Sequence, residues 1–235
     1  MKAVILAAGR GTRLPKITKD IPKCLIEIGG KTILERQISI LLKNSIEKIY
    51  VVIGYKAKEI QIRQENQDII EFIINKDYET TDNIYSLYLT EDKIRGKEFL
   101  LLNGDALFEE DIIKKLINKK NINVAPIDTK YYDQEELKIR ANKNIILGIL
   151  PKTAPQEISD GSTIGVFKFS SKGCNILFNE IEKSIKEGFK NKWFEYALDK
   201  ICKKIKMQII DIHGMKWIEI DEIEDIKKAE EFFGG

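Results

Sequence analysis

One histidine and three cysteines in 235 residues are too few for several kinds of chemistry. Cys24, Cys174 and Cys202 lie far apart and are odd in number, and no ligand spacing exists that His213 could complete. A disulfide framework and a Cys/His metal centre are therefore not expected, and the cysteines read as buried or idle thiols of a reducing compartment. A dominant charge is missing as well. Lys and Arg number 39 against 37 Asp and Glu, and the net +2 gives no reason to expect nucleic acid as a partner. No apolar run is long enough to span a membrane, and the N-terminal one is too short for a signal peptide. The expectation is a cytoplasmic protein without membrane insertion. Internal repeats, linkers and low-complexity tracts are also lacking.

What is present is a globular composition, 43% hydrophobic and 32% charged, on a chain long enough to bury a core without staples. Apolar runs over 3–7, 49–53, 69–74 and 99–102 read as buried strands. Between and after them, helical spacing predicts helices over 33–43, 57–65 and 109–118, and Asp82 is placed to N-cap a helix over 83–92. From Val124 to Phe169 the pattern changes to short segments (137–141, 145–150, 164–169) that read as antiparallel strands and hairpins. Helices over 174–186 and 192–204, strands over 207–212 and 217–220, and an amphipathic helix over 223–233 follow. The expected fold is α/β, a mixed and mainly parallel sheet with helices on both faces and a hairpin-rich insertion at about 124–169, in one domain over 1–235.

The first strand opens into Ala7-Ala8-Gly9-Arg10-Gly11-Thr12-Arg13, and Pro22-Lys23 follows. Small residues leave backbone N–H groups open to a polyanion, and Arg10, Arg13, Lys16 and Lys23 add cationic side chains. A third glycine is missing at Leu14, so the dinucleotide fingerprint fails, and Thr12-Arg13 stands where a P-loop needs Lys-Ser/Thr. The residues alone fit either an unusual phosphate loop or a strand–loop–helix turn with surface cations.

Two carboxylates follow strands, where parallel sheets place ligand sites. Asp105 closes Asn103-Gly104-Asp105 after 99–102, and good turn chemistry there is the plainer alternative. Asp221 ends Trp217-Ile-Glu-Ile-Asp, where alternation puts Trp217, Glu219 and Asp221 on one face and Ile218 and Ile220 on the other. Asp221-x-x-Glu224 also has the character of a capping box for the last helix.

The loop Ala-Ala-Gly-x-Gly-Thr-Arg with Pro-Lys at its distance resembles the nucleotidyltransferase family that activates sugar 1-phosphates and phospho-alcohols. The likeness extends through Asp105, the segment Asp160-Gly-Ser-Thr-Ile-Gly165 and Trp217-Ile-Glu-Ile-Asp221. It departs at Pro15, one place earlier than in many relatives. The resemblance implies a Rossmann-like nucleotide-diphospho-sugar transferase fold, with Asp105 and Asp221 holding the catalytic magnesium. Asn83-Ile-Tyr-Ser86-Leu resembles cytidylyltransferases acting on phosphocholine or inositol 1-phosphate, where glucose 1-phosphate enzymes usually carry Gly-Thr-Ala. Asn83 and Ser86, three apart on one helical face, could bond the base edge or the acceptor, or simply start a helix. Tyr78, Tyr85, Tyr88, Tyr131, Tyr132, Trp193 and Trp217 invite a cation cage, which requires rings that converge.

The resulting expectation is a CTP-dependent cytidylyltransferase with a small phosphorylated alcohol as acceptor, or else a sugar 1-phosphate enzyme using UTP, dTTP or GTP. Ala7, Ala8, Gly9, Gly11, Thr12, Asn83 and Ser86 would bind the nucleotide, and Arg13, Lys23, Asp105 and Asp221 would act on the phosphates, with Mg2+ at the two aspartates. The partners are CTP or another nucleoside triphosphate and the acceptor, with room for a homo-oligomer. A regulatory nucleotide-binding protein is the rival of another class, disfavoured because binding alone needs fewer charges.

Overall fold

The structure is a computed structural model that describes residues 1–62, 68–131 and 136–234, without the side chains of residues 15, 16 and 62. A ten-stranded mixed sheet runs through it in the order Ser162–Thr163, Lys138–Asn142, Ile145–Leu150, Gln208–Asp211, Val124–Asp128, Val166–Phe169, Phe99–Asn103, Lys2–Ala7, Lys48–Ile53, Ile70–Ile74. The last four form a parallel block with Lys2–Ala7 inside it. Beyond Phe99–Asn103 the pairing turns antiparallel, so parallel order is less extensive than the sequence predicts. Val124–Asp128, at the head of the expected hairpin region, instead runs parallel to Gln208–Asp211. Ser162–Thr163 also pairs with Ile127 and Asp128, which curls this end of the sheet back on itself.

Alternation explains why both faces are covered. Val4 and Leu6 of the first strand pack with Phe99, Leu101 and the helices Ser171–Lys186 and Glu195–Ile205. Ala3, Ile5 and Ala7 turn to the other core, with Leu100, Leu102 and the helices Ile33–Lys43 and Glu110–Ile117. Thr32 and Glu35 close a capping box on the first of these. A third, smaller core holds Ile218 and Ile220 against Leu14, Ile26, Ile28, Ile33 and Leu107, as the alternation over 217–221 requires.

Two local expectations change, and a third is met as far as the described residues reach. The helix over 83–92 divides into Asn83–Tyr88 and Glu91–Ile94, because the Thr90 hydroxyl donates to Leu87 O at 2.7 Å and its backbone leaves the helical region. The strand over 164–169 is interrupted at Gly165, whose φ is +66°, leaving Val166–Phe169 after it and Ser162–Thr163 before. The helix over 57–65 is seen as Ala57–Ile62, and its expected end lies outside the described residues.

Gly104 sets the approach between the first strand and the turn that follows Phe99–Asn103. Its N–H donates to Leu6 O at 2.9 Å, and a Cβ there would lie 2.8 Å from that oxygen and 2.9 Å from Ala7 Cβ. Gly104→Ala should therefore push the turn off the strand, costing about 1–3 kcal/mol as overpacking does. Thermal or denaturant unfolding of the variant checks this, and a stability within experimental error of the parent would contradict it.

Candidate active site

A two-stranded ribbon brings distant carboxylates together. Ala106–Phe108 pairs antiparallel with Trp217–Glu219, Ala106 opposite Glu219, and Ile220 N–H donates to Asp105 O at 3.0 Å. Asp105 therefore precedes one strand of the ribbon and Asp221 follows the other. The glycine loop ends at the same place. The Thr18 hydroxyl donates to Gly11 O at 2.8 Å and to Leu14 O at 2.9 Å, and Pro15–Thr18 forms a helical turn. Proline at the first helical position accommodates the early Pro15.

Lys23, at the start of the short 3-10 turn Lys23–Leu25, lies between the carboxylates. Its Nζ stands 2.7 Å from Asp105 Oδ2 and 2.7 Å from Asp221 Oδ1. Arg13 reaches Asp221 Oδ1 at 2.6 Å, and Lys152 Nζ lies 3.6 Å from Asp221 Oδ2. Burial alone would lower the Lys23 ammonium, but Asp105 and Asp221 outweigh it and raise it above its ordinary value. Burial would likewise raise Asp221, only 4% exposed, yet Lys23, Arg13 and Lys152 hold it below the usual carboxylate range.

These groups open onto a cleft of about 300 Å³ at the C-terminal ends of the strands Lys2–Ala7 and Phe99–Asn103. Ala7, Ala8, Gly9, Gly11, Thr12, Arg13, Lys23, Asn83, Ser86, Asp105 and Asp221 all line it. Arg10 instead lies over the Tyr55 ring, 5.6 Å from its centroid, and the Lys16 side chain is outside the description. Asn83 and Ser86 are also built into the scaffold: Asn83 Oδ1 accepts from Phe194 N–H at 2.6 Å, and Ser86 Oγ from Asn75 Nδ2 at 3.1 Å. Asp221 does not cap the last helix. That capping box is made one residue later, by Glu222 and Asp225, and Asp225 Oδ2 also accepts from Asp221 N–H at 2.9 Å. The shift by one residue leaves the Asp221 carboxylate facing Lys23.

Of the aromatics, Tyr78 and Trp193 reach the cleft. Tyr85 pairs with Tyr88 and Tyr131 with Trp217, while Tyr132 lies outside the described residues. Several cleft residues carry no motif and were not foreseen: Lys152, Glu136 and Glu195. Lys138, fully buried, holds two of them in place by donating to Glu136 O at 2.6 Å and Lys152 O at 2.7 Å. A buried lysine in a strand was the one available signal. Asn103 Nδ2 donates to Glu219 Oε1 at 3.2 Å.

Comparison with known proteins gives the same direction. The profile of the nucleotidyl transferase family matches residues 2–233. The bifunctional protein GlmU of Methanococcus vannielii is 31% identical over 99% of this chain and 55% of its own length. The CTP:phosphoglutamine cytidylyltransferase of Campylobacter jejuni is 30% identical over 97% of this chain and 98% of its own. The chain thus spans about half of the bifunctional relative and nearly all of the second. Among solved structures, the inositol-1-phosphate CTP transferase from T. maritima superposes with a TM-score of 0.80 at 23% identity, covering 99% of this chain and 95% of that one. A UDP-glucose pyrophosphorylase complexed with UDP-glucose gives 0.80 at 16%, covering 98% and 97%. At these identities the structures establish the shared fold.

Glu136 and Glu219 make a buried acid pair beside the lysine. Burial, and then the neighbouring carboxylates, raise both, and Glu136 keeps the proton and donates it to Glu219. In the unfolded chain both would ionise near the ordinary glutamate value, about 4.3. A raised acid favours folding less as pH climbs above that value. Stability should therefore decline from about pH 5 toward alkaline pH, and Glu136→Gln, which keeps a donor but cannot ionise, should flatten the decline. Melting temperatures of both proteins across that range decide it, parallel curves being the contrary result.

Proposed function

The chain belongs to the nucleotidyl transferase family, and within that family we propose a CTP-dependent cytidylyltransferase that converts CTP and a phosphorylated small alcohol to the CDP-alcohol and pyrophosphate. The observation that carries the reading is the Lys23 ammonium between Asp105 and Asp221 at the exit of the glycine loop. Reactions of this kind ask a protein chiefly to position phosphates and neutralise charge. The CTP preference is supported by the helix start at Asp82–Asn83, by the resemblance of Asn83-Ile-Tyr-Ser86, and by a full-length relative named as a cytidylyltransferase.

Backbone N–H groups over Ala8–Thr12 would cradle the triphosphate. Arg13 would neutralise it from the side, and Lys23, with its proton held firmly, would bridge the reacting phosphates. An oxygen of the acceptor phosphate attacks the α-phosphorus of CTP, a new phosphoanhydride bond forms, and the bond to the β-phosphate oxygen breaks to release pyrophosphate. No general base is needed, since the attacking phosphate is already an anion.

The donor set also fits magnesium. Two carboxylates converge on a single cationic atom, and Mg2+ is commonly bound by one or two carboxylates, with waters and phosphate oxygens completing its shell. Among the described residues no cluster of three or more acidic, histidine or cysteine ligands competes for it. Asp105 and Asp221 would hold the ion, which when bound supplies charge neutralisation on the phosphates.

The nucleotide test is a kcat/KM series with CTP, UTP, ATP, GTP and dTTP. Cytosine and uracil present reversed donors and acceptors, so a hydrogen-bonding site is expected to prefer CTP by about a hundredfold or more. A better rate with UTP or dTTP would make this a sugar-nucleotide enzyme.

Asp105→Asn is expected to fold and to lose roughly a hundredfold or more of kcat at saturating magnesium. Lys23→Ala should lower kcat more than it raises KM for CTP. Retained turnover in the first, or a purely KM effect in the second, would remove that residue from the reaction.

A further inference from the structure

The cleft has a wall that the transfer chemistry does not use. Glu195 begins the helix Glu195–Ile205, is 5% exposed, and lines the cleft. Its carboxyl accepts from its own backbone N–H, while Oε2 has no hydrogen-bond partner among the described residues. A buried carboxylate oxygen left unpaired is costly. The neighbouring acids deepen the deficit, since Glu219 and Asp82 repel a charge on Glu195, against its own backbone N–H and Lys152, which favour it. Burial pushes Glu195 up to about 8.

Such a wall accepts a group that is both positive and a hydrogen-bond donor. A trimethylammonium is positive but has no N–H, and it is bound by aromatic faces. Of the two aromatics that line the cleft, Tyr78 and Trp193, the second stands two residues from Glu195 in the chain. Its side chain is bonded to Asp82, and Lys152 Nζ already stands 5.5 Å from its ring centroid. A hydroxyl donates but brings no charge to offset the clustered acids. We infer that the acceptor carries, besides its phosphate, a protonated primary amine, and that Glu195 receives this ammonium group through Oε2. The inference rests on the transferase reading above, because it concerns the acceptor half of the same cleft.

The test is an acceptor panel run with each nucleoside triphosphate: phosphoethanolamine, 3-aminopropyl phosphate, phosphocholine, inositol 1-phosphate and glucose 1-phosphate. A primary amine is expected to exceed phosphocholine and the neutral acceptors by roughly tenfold to a hundredfold in kcat/KM, the scale of one hydrogen bond to a charged group. Glu195→Gln, equal in size but uncharged, should erase that preference through KM for the amine, with KM for CTP little changed. Glu195→Asp, which keeps the charge, should retain part of it and serves if the amide variant is unstable. Preference for phosphocholine or a polyol phosphate, turnover of neither amine, or an equal loss on every acceptor in Glu195→Gln would overturn the inference. An amine preferred with UTP in place of CTP would leave it standing and overturn the cytidylyl reading.

Discussion

A lysine ammonium shared between two carboxylates, one of them 4% exposed, is most stable when all three charges are present. Removing one partner of a buried ion pair typically costs about 3–5 kcal/mol, because the other is left charged without water. Lys23, Asp105 and Asp221 come from three segments far apart in the chain, so the fold must deliver each to one point. The parallel block delivers Asp105, the ribbon over Ala106–Phe108 and Trp217–Glu219 delivers Asp221, and the 3-10 turn delivers Lys23. The same ammonium that satisfies the folded chain is the one assigned, in the proposed reaction, to the phosphate oxygens.

The carboxyl groups of the cleft differ in the protonation state that their surroundings favour. Around the glycine loop, Arg13, Lys23 and Lys152 surround Asp221 and draw its proton off. Toward Glu136, Glu219 and Glu195, burial and mutual repulsion favour the protonated forms. Protonated acids repel an anion less than ionised ones do, so the cations around Asp221 decide where a phosphate is drawn.

Long apolar runs were legible in the sequence. The strands around Ala3–Ala7 and Phe99–Leu102 and the helices Ile33–Lys43 and Ile223–Phe233 follow from periodicity, because each buries a face set by its own residues. Ala106–Phe108 and the hairpin Glu27–Ile28 with Lys31–Thr32 were not, since strands of two or three residues owe their existence to partners rather than to pattern. Eleven candidate residues could be named because a long motif, two acidic strand ends and the segment Asn83-Ile-Tyr-Ser86 mark them, and they line one cleft. Glu136, Lys152 and Glu195 carry no such mark. Their position depends on the hairpin Lys138–Asn142 with Ile145–Leu150 and on the helix Glu195–Ile205, which is tertiary information. The ambiguity at Asp221, cap or ligand, turned on a single residue of register, which local sequence does not resolve.

The bond between Lys23 and Asp221 spans 198 positions of the chain. The same end is stitched further by Arg36 to Phe233 O and by Gly29 N–H to Glu230. Contacts of such separation carry loop-closure entropy that nothing local offsets, and they belong to the slow, late part of folding. During synthesis, the loop, Lys23 and Asp105 leave the ribosome long before Asp221 exists. Until then the lysine has only one of its two carboxylates. Closure of the cluster of Lys23, Asp105 and Asp221 is therefore a final event, coincident with docking of the last ribbon strand.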